Sequence, residues 1–176
     1  MRNITSIKAV IISRTSYQKK DYFEAFTQEY GKINLQLSLR IRYFRRVDES
    51  DFCELDVVNR EQDTWVICGI HSIKTFKKLR QNTFCYALWC VASEVIRKSF
   101  GYEVPYPDVF QALLRFLADP NHFTLKNLLS CSAIEHGISD SSTDTYQSIK
   151  ALEKALDIQV RSYGDLLNFN YLTETT

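Results

Sequence analysis

The side chains able to do covalent or metal chemistry are few and scattered. Three histidines, His71, His122 and His136, lie in unrelated contexts, and none belongs to a recognisable triad signature. Five cysteines, Cys53, Cys68, Cys85, Cys90 and Cys131, contain no Cys-x-x-Cys pair. Cys68 and His71 are three residues apart, a spacing that puts them on opposite faces of a strand. Cys85 and Cys90, five apart on a predicted helix, share no face well. An odd, dispersed set of this kind reads as reduced, buried thiols rather than a disulfide framework or a zinc site. With five glycines there is no GxxxxGK and no GxGxxG to cradle a phosphate. The acidic run Asp48–Asp51 reads as a turn. The sequence therefore motivates no catalytic residue, no metal and no cofactor, and what remains is binding.

The signal for binding is a segregation of charge. Residues 1–50 hold ten Lys/Arg and five Asp/Glu, a net of +5, and residues 51–176 hold twelve and sixteen, a net of −4. From Lys32 to Tyr43 the chain alternates. Ile33, Leu35, Leu37, Leu39, Ile41 and Tyr43 form one face, and Lys32, Asn34, Gln36, Ser38, Arg40 and Arg42 the other, with Arg45 and Arg46 following. Single-strand binders pair a basic groove with aromatics that stack on bases. The first half of this chain supplies both. Lys8, Arg14, Lys19, Lys20, Lys32, Arg40, Arg42, Arg45 and Arg46 are candidate phosphate contacts. Tyr17, Tyr43 and Phe44 are candidate stacking residues, with Tyr22 and Tyr30 interleaved.

The elements that must position these residues change character near Thr75. Before it, β-branched and alternating runs predict strands at Ile7–Ser13, Lys32–Tyr43, Phe52–Val58 and Thr64–Ile73, the last with Gly69 as a possible bulge. Asp21–Tyr30 is ambiguous: its aromatics sit at helical spacing, yet Gly31 leads directly into a strand. Counted as a strand, it makes five in the first 76 residues, which suits a small barrel such as the OB-fold. After Thr75 the spacing turns helical. Thr83–Ser99 carries an apolar stripe of Phe84, Leu88, Val91 and Val95. A second helix follows in PYPDVFQALLRFLADP with Asp108 as its cap. A third covers His122–Ser130, and a fourth, TYQSIKALEKALDI, buries Tyr146, Ile149, Leu152 and Leu156. YGDLLNF closes the series. Strands followed by helices define an α+β chain. The longest apolar stretch, Cys85–Ala92, is far short of the roughly 20 residues that span a bilayer, and no secretory signal is visible, so a cytoplasmic protein is expected.

The opening, IKAVIISRTSYQKKDYFEAFTQEYGKINL, resembles that of the bacterial recombination mediator family RecO. The family begins with an apolar strand ending in an Arg-Thr-like pair, then a polar loop, then a strand closing on Phe-Thr-x-Glu-x-Gly-Lys. The matching residues are Val10 to Thr15, then Asp21, Phe26, Thr27, Glu29, Gly31 and Lys32. FCYALWCVASEVI, DVFQALLRFLAD and LEKALDIQVRSYGDLL are similar to the family's helical segments, so the likeness is closest over 7–35 and runs collinearly beyond. It implies an N-terminal five-stranded OB-fold over residues 1–76 packed on a C-terminal α-helical domain over 77–176, with Asp21–Tyr30 a strand. It implies a role in DNA repair and recombination: binding single- and double-stranded DNA, annealing complementary strands, and helping RecR load RecA onto strands coated by single-strand-binding protein, whose C-terminal tail would be a further partner. It implies no catalytic centre and a nucleoid-associated location. The chain departs from the family in lacking the spacing of its four-cysteine zinc module, so no zinc is expected, and in a clipped connection around Tyr43–Asp51. The competing expectation is an OB-fold interaction module that docks acidic partner tails and binds no nucleic acid.

Overall fold

The computed structural model describes residues 3–18, 20–37, 47–60, 64–138 and 144–166. Five strands come first: β1 (Thr5–Tyr17), β2 (Lys20–Thr27), β3 (Gly31–Leu37), β4 (Phe52–Arg60) and β5 (Thr64–Lys74). They close into a barrel in the order β1-β2-β3-β5-β4. β1 pairs antiparallel with β2 and β4, β2 with β3, and β4 with β5, while β3 runs parallel to β5. This is the five-stranded arrangement of an OB-fold. The ambiguous second segment is a strand because its alternate residues, Phe23 and Ala25, are needed inside. They join Ile7, Ala9, Ile11, Ile33, Leu35, Cys53, Leu55, Val57 and Ile67 in one buried core.

The barrel is not sealed by strands alone. β3 meets β5 only from Asn34 to Leu37, so its first residues have no strand partner on that side among the described residues. The segment 100–107 fills the gap. Tyr102 forms a parallel bridge with Lys32, and the Glu103 amide donates to the Lys32 carbonyl at 3.0 Å. Phe100 and Tyr106 pack on Phe26, with ring centroids 5.6 and 6.4 Å away. The Trp65 indole donates to Glu103 at 3.2 Å. By its contacts the chain accordingly forms two compact units, one of residues 1–75 with 100–107 and the other of 76–99 with 108–176. Sequence reasoning gave 100–107 to the helical half, because a strap held by such distant partners has no periodicity to read.

The second unit comprises α1 (Lys77–Gln81), α2 (Thr83–Ser99), α3 (Pro107–Ala118), α4 (His122–Glu135), α5 (Thr145–Leu156) and a short helix at 161–166. Each longer helix buries one face: Leu88, Val91, Ala92, Val95 and Ile96 on α2, Val109, Phe110, Leu113, Phe116 and Leu117 on α3. Asp108 is not the cap of α3. Pro107 takes the first helical position, where its missing N–H costs nothing, and Asp108 lies in the first turn. Asn121 caps α4 in a reciprocal capping box with Thr124, and Asp144 caps α5. On α5, Ile149 and Leu152 are buried as the stripe predicts, whereas Tyr146 is exposed and stacks near Tyr163.

Candidate nucleic-acid interface

Past the bulge at Ile12, β1 and β2 continue as a hairpin that places Ser13, Thr15 and Tyr17 opposite Glu24, Tyr22 and Lys20. Tyr22 in turn faces Gln36, and Glu24 faces Asn34, across β2 and β3. Strand alternation turns all of these outward, while Phe23, Ala25, Leu35 and Leu37 turn in. Beside Glu24, these outward residues of β1, β2 and β3 are two tyrosines, a lysine, a threonine, a serine and two amides. Tyr17 is 62% exposed, and Tyr22 is half-buried. Among these described residues that face one another across the three strands, the carboxylate, Glu24, is compensated. The Lys32 ammonium lies 3.7 Å from it, the Tyr102 hydroxyl donates to it at 3.1 Å, and the Ser13 hydroxyl at 3.5 Å.

The nine predicted cations divide sharply. Lys19, Arg40, Arg42, Arg45 and Arg46, with the aromatics Tyr43 and Phe44, lie outside the described residues. Of the other four, Lys20 stands exposed on the hairpin, directly across from Tyr17. Lys32 does not face solvent: it is 5% exposed, held between Glu24 and the Tyr102 ring, 4.4 Å from the ring centroid. Arg14 is occupied as well. Its guanidinium lies 3.4 Å from Asp21 and 3.9 Å from Asp48 and donates to the Val47 carbonyl at 3.2 Å. Lys8 is exposed but sits opposite Glu54 towards the other end of β1. From Lys8 to Tyr17 the strand rises roughly 30 Å, so Lys8 and Lys20 share no groove. The single basic concavity expected from the sequence is not formed by the four described cations, because two of them neutralise buried or half-buried carboxylates that sequence alone does not pair.

A second cluster arises where β5 carries two irregularities. The register between β4 and β5 shifts beside Asp56 and again beside Glu54, so Cys68 and His71 are the extra residues of two bulges. Both consequently meet Asp56, against the opposite-face expectation. The Cys68 thiol donates to the Asp56 carbonyl at 3.3 Å, His71 Nε2 lies 2.9 Å from the carboxylate, and the Ser6 hydroxyl donates to the same carboxylate. The hydrogen bond from Ser6, then that from His71, holds the Asp56 carboxyl below its ordinary range. Desolvation and the Asp56 charge push the Cys68 thiol up, which disfavours the reactive thiolate. No group of three His, Cys, Asp or Glu side chains among the described residues is arranged to hold a metal ion. Nor is any described helix long and apolar enough to cross a membrane.

Against protein-family models and curated proteins alike, the chain finds no match.

Proposed function

We propose that the chain is a non-enzymatic DNA-binding mediator of recombination and repair. The barrel takes nucleic acid on the outer face of β1, β2 and β3, and the helical unit docks partner proteins. What supports this reading is the pairing of an OB-type barrel with an outer face bearing Tyr17, Tyr22 and Lys20, on which Glu24 is already neutralised. The corresponding face of strands 2 and 3 is where OB barrels bind oligonucleotides. Bases stack on the tyrosines without reading sequence, each stack contributing about 1–3 kcal/mol. Phosphates meet Lys20, and counterion release drives affinity. The resemblance to RecO supplies the finer proposal: the bound strands are single- and double-stranded DNA, complementary strands are annealed, and RecR, RecA and the tail of single-strand-binding protein are the partners in a nucleoid-associated, cytoplasmic setting.

One observation favours a second reading. Arg14 and Lys32 are taken up by the protein's own carboxylates, as in a barrel whose charge serves architecture and a protein partner rather than phosphate. That alternative is an OB-fold interaction module for acidic tails. Titration of a fluorescent oligonucleotide over a range of salt, repeated with an acidic peptide as competitor, separates the two. The mediator reading predicts binding with log–log salt slopes of about −0.7 per contacted phosphate and poor competition. Absence of oligonucleotide binding, with peptide bound, supports the alternative and removes the proposal.

A further inference from the structure

Among the described residues, Tyr22 is the last of β2 paired with β3, through Gln36, and from there to the tip the two arms of the β1–β2 hairpin pair with each other. Gln18 turns the chain with a φ of 48°. The proposed stacking residues Tyr17 and Tyr22 and the cation Lys20 ride on this arm. At its base stands Arg14, on the opposite side of the strand from Thr15. Its guanidinium reaches Asp21 within the hairpin and Asp48 and the Val47 carbonyl outside it, while its amide donates to Glu49 at 3.1 Å. Asp21 is 4% exposed and also accepts from Ser16, so the acceptor side of the clamp is fixed. The anchor is fixed too: the Asp48 amide donates to Asp51, and the backbones of Ile11, Ser50 and Asp51 are hydrogen-bonded together. The fork geometry of a guanidinium suits three acceptors held apart; a lysine ammonium is a point charge and cannot span them.

We infer that Arg14 is a positioning residue of the proposed interface: it orders the β1–β2 hairpin against residues 47–49 and makes no phosphate contact itself. This rests on the nucleic-acid reading above and deepens it. Ordering the arm before binding spares the complex the cost of immobilising its side chains.

The test uses the full chain and a fluorescein-labelled oligothymidylate, titrated at several salt concentrations. Arg14→Lys keeps the charge and breaks the clamp. It is expected to weaken binding about 3- to 10-fold with an unchanged salt slope, since the phosphates contacted stay the same. Asp48→Asn is the second variant. The Asp48 side chain is 35% exposed and its Oδ1 also accepts from the Glu49 amide, a bond asparagine retains, so the fold survives. Removing a negative charge should tighten binding to a polyanion if electrostatics alone governs; the clamp predicts weaker binding instead. An Arg14→Lys protein that binds like the wild type, or an Asp48→Asn protein that binds more tightly, overturns the inference. A wild-type protein that binds no oligonucleotide defeats the functional reading first, and the inference with it.

Discussion

Gly31 lies against the backbone carbonyl of Val104: a Cβ placed on Gly31 would come within 1.7 Å of that oxygen, and its φ is +64°. The contact is between β3 and the strap 100–107 that lies along it and covers Phe26. It shows that the strap is seated on backbone, where no rotamer change can relieve a clash. Gly31→Ala should therefore destabilise the protein by more than about 2 kcal/mol, from positive φ and overlap together. Gly101→Ala, in the same strap with open space around it, should shift stability by less than about 1 kcal/mol. Urea denaturation of the two variants checks the contrast.

Lys32 was a candidate phosphate contact and is instead a structural cation. Its removal takes away the ammonium 3.7 Å from Glu24 and the positive charge on the Tyr102 ring. Lys32→Ala should cost about 2–4 kcal/mol in chemical denaturation, since the poorly solvated Glu24 carboxylate loses an ion-pair partner. The salt slope of oligonucleotide binding should not change. Lys20→Ala should do the reverse, leaving stability within about 0.5 kcal/mol and reducing the slope by about 0.7.

In the helical unit, Glu94 ties α2 to the start of the short helix at 161–166. Burial would raise its pKa. Hydrogen bonds from Lys98, from the Ser162 side chain and backbone, and from the Arg161 backbone outweigh that and bring it down to about 2. A carboxylate whose folded pKa lies below its unfolded value stabilises the fold above the unfolded value, here 4.5, and loses that contribution as the pH falls towards 2. Thermal midpoints should thus drop between about pH 5 and pH 2 in the wild type. Glu94→Gln should cost about 1–2 kcal/mol of stability at neutral pH after allowance for solvent screening, lowering the midpoint there and flattening that acid limb.

The sequence made the elements legible wherever one period dominated. Ile33, Leu35 and Leu37 announce β3, and α2 runs from Thr83 to Ser99 as its stripe requires. β2 was harder, because Tyr22, Phe23 and Phe26 satisfy a helical period as well as a strand; the barrel's need for Phe23 and Ala25 inside decides it. What stayed hidden depends on partners far along the chain. Phe26 alternates outward yet is buried because Phe100 and Tyr106 cover it. Lys32 and Arg14 look like surface charge until Glu24, Tyr102, Asp21 and Asp48 are placed around them. Tyr22, not among the stacking candidates, joins the face once its register with Thr15 and Gln36 is known. The bulges at Cys68 and His71 break the alternation that sequence reasoning assumed.

The functional account stands on the two tyrosines that share the hairpin's outer face. The measurement that reaches it most directly is equilibrium binding of a labelled oligothymidylate to the wild type and to Tyr17→Ala, Tyr22→Ala and the double variant. Each single change should weaken binding by about 1–3 kcal/mol, and the double change by nearly the sum, with thermal midpoints preserved at exposed Tyr17. Wild-type affinity in the double variant would contradict the account, since it would place the nucleic acid elsewhere on the protein or nowhere.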